Sequence, residues 1–107
     1  MKKYIRNITE AKVCCLFDEK FGTDISTRAD KVKEEHSEFQ QALQAYKENP
    51  TSENLQHLKD EMSDLYATVT HTASVIELYQ NELLDMAIDK VKGREIDNNY
   101  KRYKPQQ

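Results

Sequence analysis

The stretch from Lys31 to Asp64 reads KVKEEHSEFQQALQAYKENPTSENLQHLKDEMSD, and its spacing decides the fold. Asn49-Pro50-Thr51-Ser52 divides it. The residue before a proline is turned away from α geometry, and Thr51 or Ser52 can cap a following helix. One helix is therefore expected over about Thr27–Glu48 and the next over about Ser52–Ser74. So short a hinge folds the pair into an antiparallel hairpin, middle beside middle. The middles carry acids at i,i+3 spacing: Glu35 with Glu38, Glu34 beside them, and across the hairpin Glu61 with Asp64. Residues three apart on a helix lie one above the other, with Cβ atoms about 5–6 Å apart. Like charges so placed repel by about 0.2–0.5 kcal/mol per exposed pair. Two such pairs on facing helices point to a site for a cation.

At about 100° per residue, Val32, Phe39, Ala42, Leu43 and Tyr46 form one apolar stripe on the first of these helices. Glu35 falls inside that stripe and Glu38 on its flank, while Glu34 points further round. On the second helix Leu55, Leu58, Met62, Leu65, Val69, Ala73 and Ile76 make the stripe, with Glu61 at its edge and Asp64 off it. A charged Glu facing a core is costly unless it is paired or bound to metal. Two readings follow: a cation site, or a solvated acidic face in which Glu35 is bridged to Lys31 one turn earlier.

Working outward, the rest of the chain reads as helices too. A first helix is expected from about Ile5 to Phe21, stopped by Gly22, a natural residue for the left-handed end of a helix. Ile8 and Cys15 lie on one side of it, and Val13, Leu16 and Phe17 broaden the apolar surface. Phe17 and Phe21 read first as core side chains, and alternatively as rings for a nucleotide base. Cys14 and Cys15, the only cysteines, lack zinc spacing and read as free thiols, one of them in the core. No glycine or proline separates Val75 from Leu83, but Gln80-Asn81 can open a fourth helix running to about Glu95. Lys90 and Arg94 share a face there. They serve either as a solvated helix end suited to the macrodipole or as a phosphate clamp.

Composition narrows the function classes. The chain has 107 residues, which makes one domain with a modest core, and a polar tail begins at about 97. With 37% hydrophobic residues the core is thin, so a homodimer or homotetramer that covers a second apolar face is expected. A net charge of −3 gives no electrostatic case for nucleic acid. No apolar run approaches the roughly 20 residues that span a bilayer, and the start lacks a signal peptide's apolar region, so a cytoplasmic protein is expected.

The order Glu34-Glu35-x-x-Glu38, gap, Glu61-x-x-Asp64 resembles the EExxE…ExxD signature of the all-α nucleotide pyrophosphohydrolases, the MazG-like and phosphoribosyl-ATP pyrophosphohydrolase-like proteins. Phe17–Gly22 resembles the end of that family's first helix, with Asp18 where many relatives carry His. Arg28 ahead of the acids, Leu65-Tyr66 after them and the late Lys90–Arg94 segment extend the likeness over roughly residues 10–95. The resemblance implies a four-helix, MazG-like bundle that converts a nucleoside triphosphate and water to the monophosphate and pyrophosphate. An all-carboxylate set of Glu35, Glu38, Glu61 and Asp64 suits Mg²⁺, with Mn²⁺ as substitute. No His stands three residues after a Glu, which disfavours a di-iron site. Glu34 or Glu38 would orient or deprotonate the attacking water, and Lys90 and Arg94 would hold the departing pyrophosphate. The competing readings are phosphoribosyl-ATP as substrate, and a non-catalytic helical interaction module.

Overall fold

The computed structural model describes residues 3–96, with the side chains of 94–96 left out. Four helices follow one another: α1 (Ile8–Phe21), α2 (Ile25–Glu48), α3 (Ser52–Val75) and α4 (Gln80–Ile96). No strand occurs among the described residues.

Polar side chains set the helix starts. Asn7 accepts from the Glu10 backbone N–H at 2.8 Å, so α1 opens three residues later than Ile5. Asp24 accepts from the Thr27 N–H at 2.9 Å and starts α2 at Ile25. At the hinge Thr51 caps α3 through the Asn54 N–H, and the Asn54 amide reaches back to the carbonyls of Ala45 and Asn49. This last contact ties the start of α3 to the end of α2. At the far end the Thr72 hydroxyl meets the Arg28 carbonyl at 3.4 Å, so the two helices run antiparallel along their length. The hairpin expected from the Asn49-Pro50 break is the body of the molecule, with α1 packed on α3.

Two helix ends use the left-handed region. Gly22 closes α1 at φ 78°, a backbone angle open to a residue without Cβ. The end of α3, which carries neither glycine nor proline, is closed by Glu77 at φ 61°. The Glu77 N–H bonds the Ser74 carbonyl and the Leu78 N–H bonds the Ala73 carbonyl, the 5→2 and 6→1 pair of a Schellman motif. From there α4 starts against α1: buried Glu10 accepts from the Gln80 N–H at 3.0 Å, and Arg6 lies over the Tyr79 ring at 4.2 Å.

The interior inverts the usual composition. Among the described residues the buried apolar side chains are Cys14, Ala42 and Leu58, whereas Glu10, Arg28, Glu35, Thr68 and His71 are buried polar or charged. The apolar stripe of α3 is only partly covered: Leu58 is buried and Leu65 and Ala73 are half-buried. Leu55, Met62, Val69 and Ile76 of that stripe are exposed, as is Tyr66 beside it, and the polar Thr68 and His71 are buried along with Leu58. In α1 the buried thiol is Cys14, while Ile8 and Cys15 look outward. Nor does α4 close a compact bundle: Leu84, Met86, Ile88 and Val91 are exposed. The radius of gyration is 16.8 Å, against roughly 13 Å for a compact chain of about 100 residues. The uncovered faces are the physical reason. Met62, Leu65, Tyr66 and Val69 of α3, with Phe39 of α2, line an open apolar groove that no part of the described chain fills.

No described helix is long and apolar enough to cross a membrane.

Candidate functional site

The polar interior collects where α2 and α3 face each other. Glu35, Glu38 and Glu61 each offer a carboxylate oxygen, and the three oxygens lie within 4.8 Å of one another. Glu35 is buried with 6% of its surface exposed, and Glu61 and Glu38 are half-buried. Glu35 and Glu61 each keep one oxygen, Oε2, shielded from solvent and without a hydrogen-bond donor. An orphaned, buried carboxylate oxygen is costly, of order 1–3 kcal/mol or more. Two of them stand in one trio. The donors are all carboxylate oxygens, which fits a hard divalent cation such as Mg²⁺ better than a soft one.

The other expected site residues are distributed differently. Lys31 bridges to Glu35 Oε1 at 3.2 Å, as the alternative reading of Glu35 had it, and to Glu34 Oε1 at 3.1 Å. The hydrogen bond it donates to Glu34, then that to Glu35, holds the Lys31 ammonium above its ordinary pKa. Glu34 is exposed and committed to this bridge, whereas Glu38 has no ion pair or hydrogen bond among the described residues. Asp64 is exposed and stands outside the close trio, on the wall of an adjoining cavity that Glu35 also lines. Lys90 is exposed on α4. The α4 residues Leu83 and Leu84 lie against Tyr66, Val69 and Ala73, a side of α3 centred about a third of a turn from Glu61 and nearly half a turn from Asp64. Arg94 lies outside the residues whose side chains are described.

The adjoining cavity has a volume of about 210 Å³ and is walled by Phe17 and Phe21 of α1, Arg28, Lys31 and Glu35 of α2, and Asp64 and Thr68 of α3. Phe17 and Phe21 meet edge to face with centroids 5.2 Å apart, and Phe21 is half-exposed, so these rings form a wall rather than a sealed core. Behind them lies His71, wholly buried, with Phe17 edge-on at 5.6 Å. Its Nδ1 is 3.4 Å from Arg28 Nη1 and its Nε2 is 2.8 Å from Asp18 Oδ1. A guanidinium can only donate, so Nδ1 accepts and Nε2 carries the proton given to Asp18. One residue from each of α1, α2 and α3 is thus joined through a single imidazole.

Reading the sequence for acids alone misses Arg28 and His71 as parts of this region. A signal was available for both. Arg28 precedes Glu35 by seven residues and His71 follows Asp64 by seven, two helical turns on the same face in each case.

No protein-family model, no curated protein and no solved structure matches the chain.

Proposed function

We propose that the chain is a Mg²⁺-dependent nucleotide pyrophosphohydrolase of the MazG-like kind, turning a nucleoside triphosphate and water into the monophosphate and pyrophosphate. The observation that carries this reading is the trio Glu35, Glu38 and Glu61 with its two buried, donorless oxygens. A mere scaffold gains nothing from acids placed so. Glu35, Glu38 and Glu61 would hold the ion, with Asp64 reaching in from the cavity wall. When bound, the ion supplies a Lewis acid and a water of lowered pKa. Glu38, free of the bridge that occupies Glu34, orients the attacking water and takes its proton at a carboxylate oxygen. No activated thiol or hydroxyl stands beside a basic partner among the described residues, so direct attack by water is the simplest chemistry. Cys14 is buried and Cys15 faces outward. The second part of the proposal is assembly: another copy of the chain covers the outward apolar stripe of α3, making a homodimer or a homotetramer.

The test is pyrophosphate release from a panel of nucleoside triphosphates with Mg²⁺, followed by phosphorus NMR of products made in ¹⁸O-water. Label is expected in the monophosphate or in pyrophosphate, and chelator is expected to stop the reaction. Asp64→Asn is expected to lose most activity while staying folded, since that side chain is exposed. Label in orthophosphate, or full activity in chelator, would mean that the reading is wrong.

A further inference from the structure

We propose that the cavity between α1, α2 and α3 is an oxyanion site built on Arg28, and that it takes a phosphate group of the nucleotide. Naming the nucleotide rests on the pyrophosphohydrolase reading; the oxyanion site does not.

Arg28 has 3% of its surface exposed, yet no carboxylate lies within 4.0 Å of its guanidinium among the described residues. Nη1 donates to His71, whereas Nε is buried with no hydrogen-bond partner among the described residues. A guanidinium has five N–H donors, and a buried cation without a counter-ion is costly. The acids of the same wall do not supply one. Glu35 gives an oxygen to Lys31, and Asp64 is exposed and makes no ion pair with Arg28. What remains is a guanidinium on the wall of a cavity with no anion to meet it, a group whose planar fork of donors can match phosphate oxygens two at a time.

The fork is also aimed. His71 holds Nη1 from one side and is itself held by Asp18, and the Phe21 ring lies 5.1 Å from the guanidinium carbon. Such support fixes a donor before its acceptor arrives. Lys31 lines the same wall one turn along α2, its ammonium already bridged to Glu34 and Glu35, so Arg28 is the cation left to meet an anion there. The phosphate contact is therefore placed at the start of α2, beside the acid trio through Glu35, rather than at Lys90 on α4.

The experiment is a titration of the full chain with inorganic pyrophosphate in chelator, following the arginine Nε–H signals by NMR. A saturable shift of the Arg28 signal is expected. Arg28→Met is expected to weaken pyrophosphate binding about tenfold to a hundredfold, the range for a lost hydrogen bond to a charged group. Arg28→Lys, which keeps the charge without the fork, is expected to fall between the two. An Arg28 signal that stays still while pyrophosphate binds elsewhere would overturn the proposal. So would unchanged affinity in a folded Arg28→Lys. Hydrolysis assays separate the two readings. A responding Arg28 in a protein that hydrolyses nothing keeps the oxyanion site and removes the enzyme. Mg²⁺-dependent hydrolysis with a silent Arg28 does the reverse.

Discussion

Glu35 and Glu61 approach each other across the α2–α3 seam, each with an Oε2 that neither water nor a donor reaches. In the metal-free protein this is a destabilising relationship, since like charges repel and both oxygens are desolvated. Glu61→Gln is expected to stabilise the metal-free protein by about 1 kcal/mol, somewhat more than the relief of an exposed pair. The same change is expected to weaken Mg²⁺ binding sharply. Urea melts with and without the ion, together with isothermal titration, give both numbers. Unchanged Mg²⁺ affinity would refute Glu61 as a ligand, and a melt indifferent to Mg²⁺ would favour a scaffold.

The end of α3 offers a test of backbone strain. Glu77 occupies the left-handed position that glycine fills at no steric cost. Glu77→Gly is expected to raise stability by up to about 1 kcal/mol, the scale of the left-handed penalty for a residue with a Cβ. Chemical denaturation at neutral pH measures it, and a loss of stability would show that the Glu77 side chain matters more than its backbone angle.

Asp24 makes the start of α2 sensitive to acid. Hydrogen bonds from the Thr27 hydroxyl and then the Thr27 N–H hold its carboxyl below the ordinary value of 3.8. A carboxyl lowered in the folded state contributes stability that is fully present above its unfolded pKa. That contribution is lost as the pH falls through the folded pKa. Asp24→Ala is expected to lower the melting temperature at pH 7, and the gap to the parent protein is expected to close on acidification below about pH 4. A gap constant with pH would assign the effect to helix propensity instead.

The outward face of α3 predicts assembly. Val69 is 44% exposed and borders three separate apolar hollows, with Tyr66, with Ala73 and with Leu84. Val69→Asp is expected to convert an oligomer into a folded monomer. Light scattering after size exclusion reads the mass and circular dichroism the helix content. A parent protein that is already monomeric at micromolar concentration would count against the covered face.

How much of this was legible in the residues depends on which force acted. The α2–α3 hairpin was plain because Asn49-Pro50 acts locally and because both helices carry long periodic patterns. The α3–α4 break was harder to see, because Glu77 accepts an angle that composition assigns to glycine. The acid trio followed from i,i+3 spacing, and three of the four expected ligands do converge. Periodicity was only a partial guide at α3, however: Leu58 of its stripe is buried, but Leu55, Met62, Val69 and Ile76 are exposed. It finds the apolar side of a helix but does not tell which partner buries it, and here Thr68 and His71 are buried together with Leu58. The bond between Asp18 and His71, 53 residues apart, is a tertiary fact with no local trace.

The adjacent thiols carry a consequence for measuring motion. Cys14 and Cys15 differ by one residue and about 100° of helix, which leaves one buried and the other exposed. A thiol reagent therefore meets two clocks on the same turn of α1. Cys15 reports the rate of the reagent itself, and Cys14 reacts when α1 lifts from α3. Their ratio, read by mass spectrometry on the unmodified chain, gives the opening free energy of α1 without any engineered probe. Because Phe17, Asp18 and Phe21 ride on that helix, the same ratio followed with pyrophosphate present measures how tightly an occupant holds the cavity's outer wall shut.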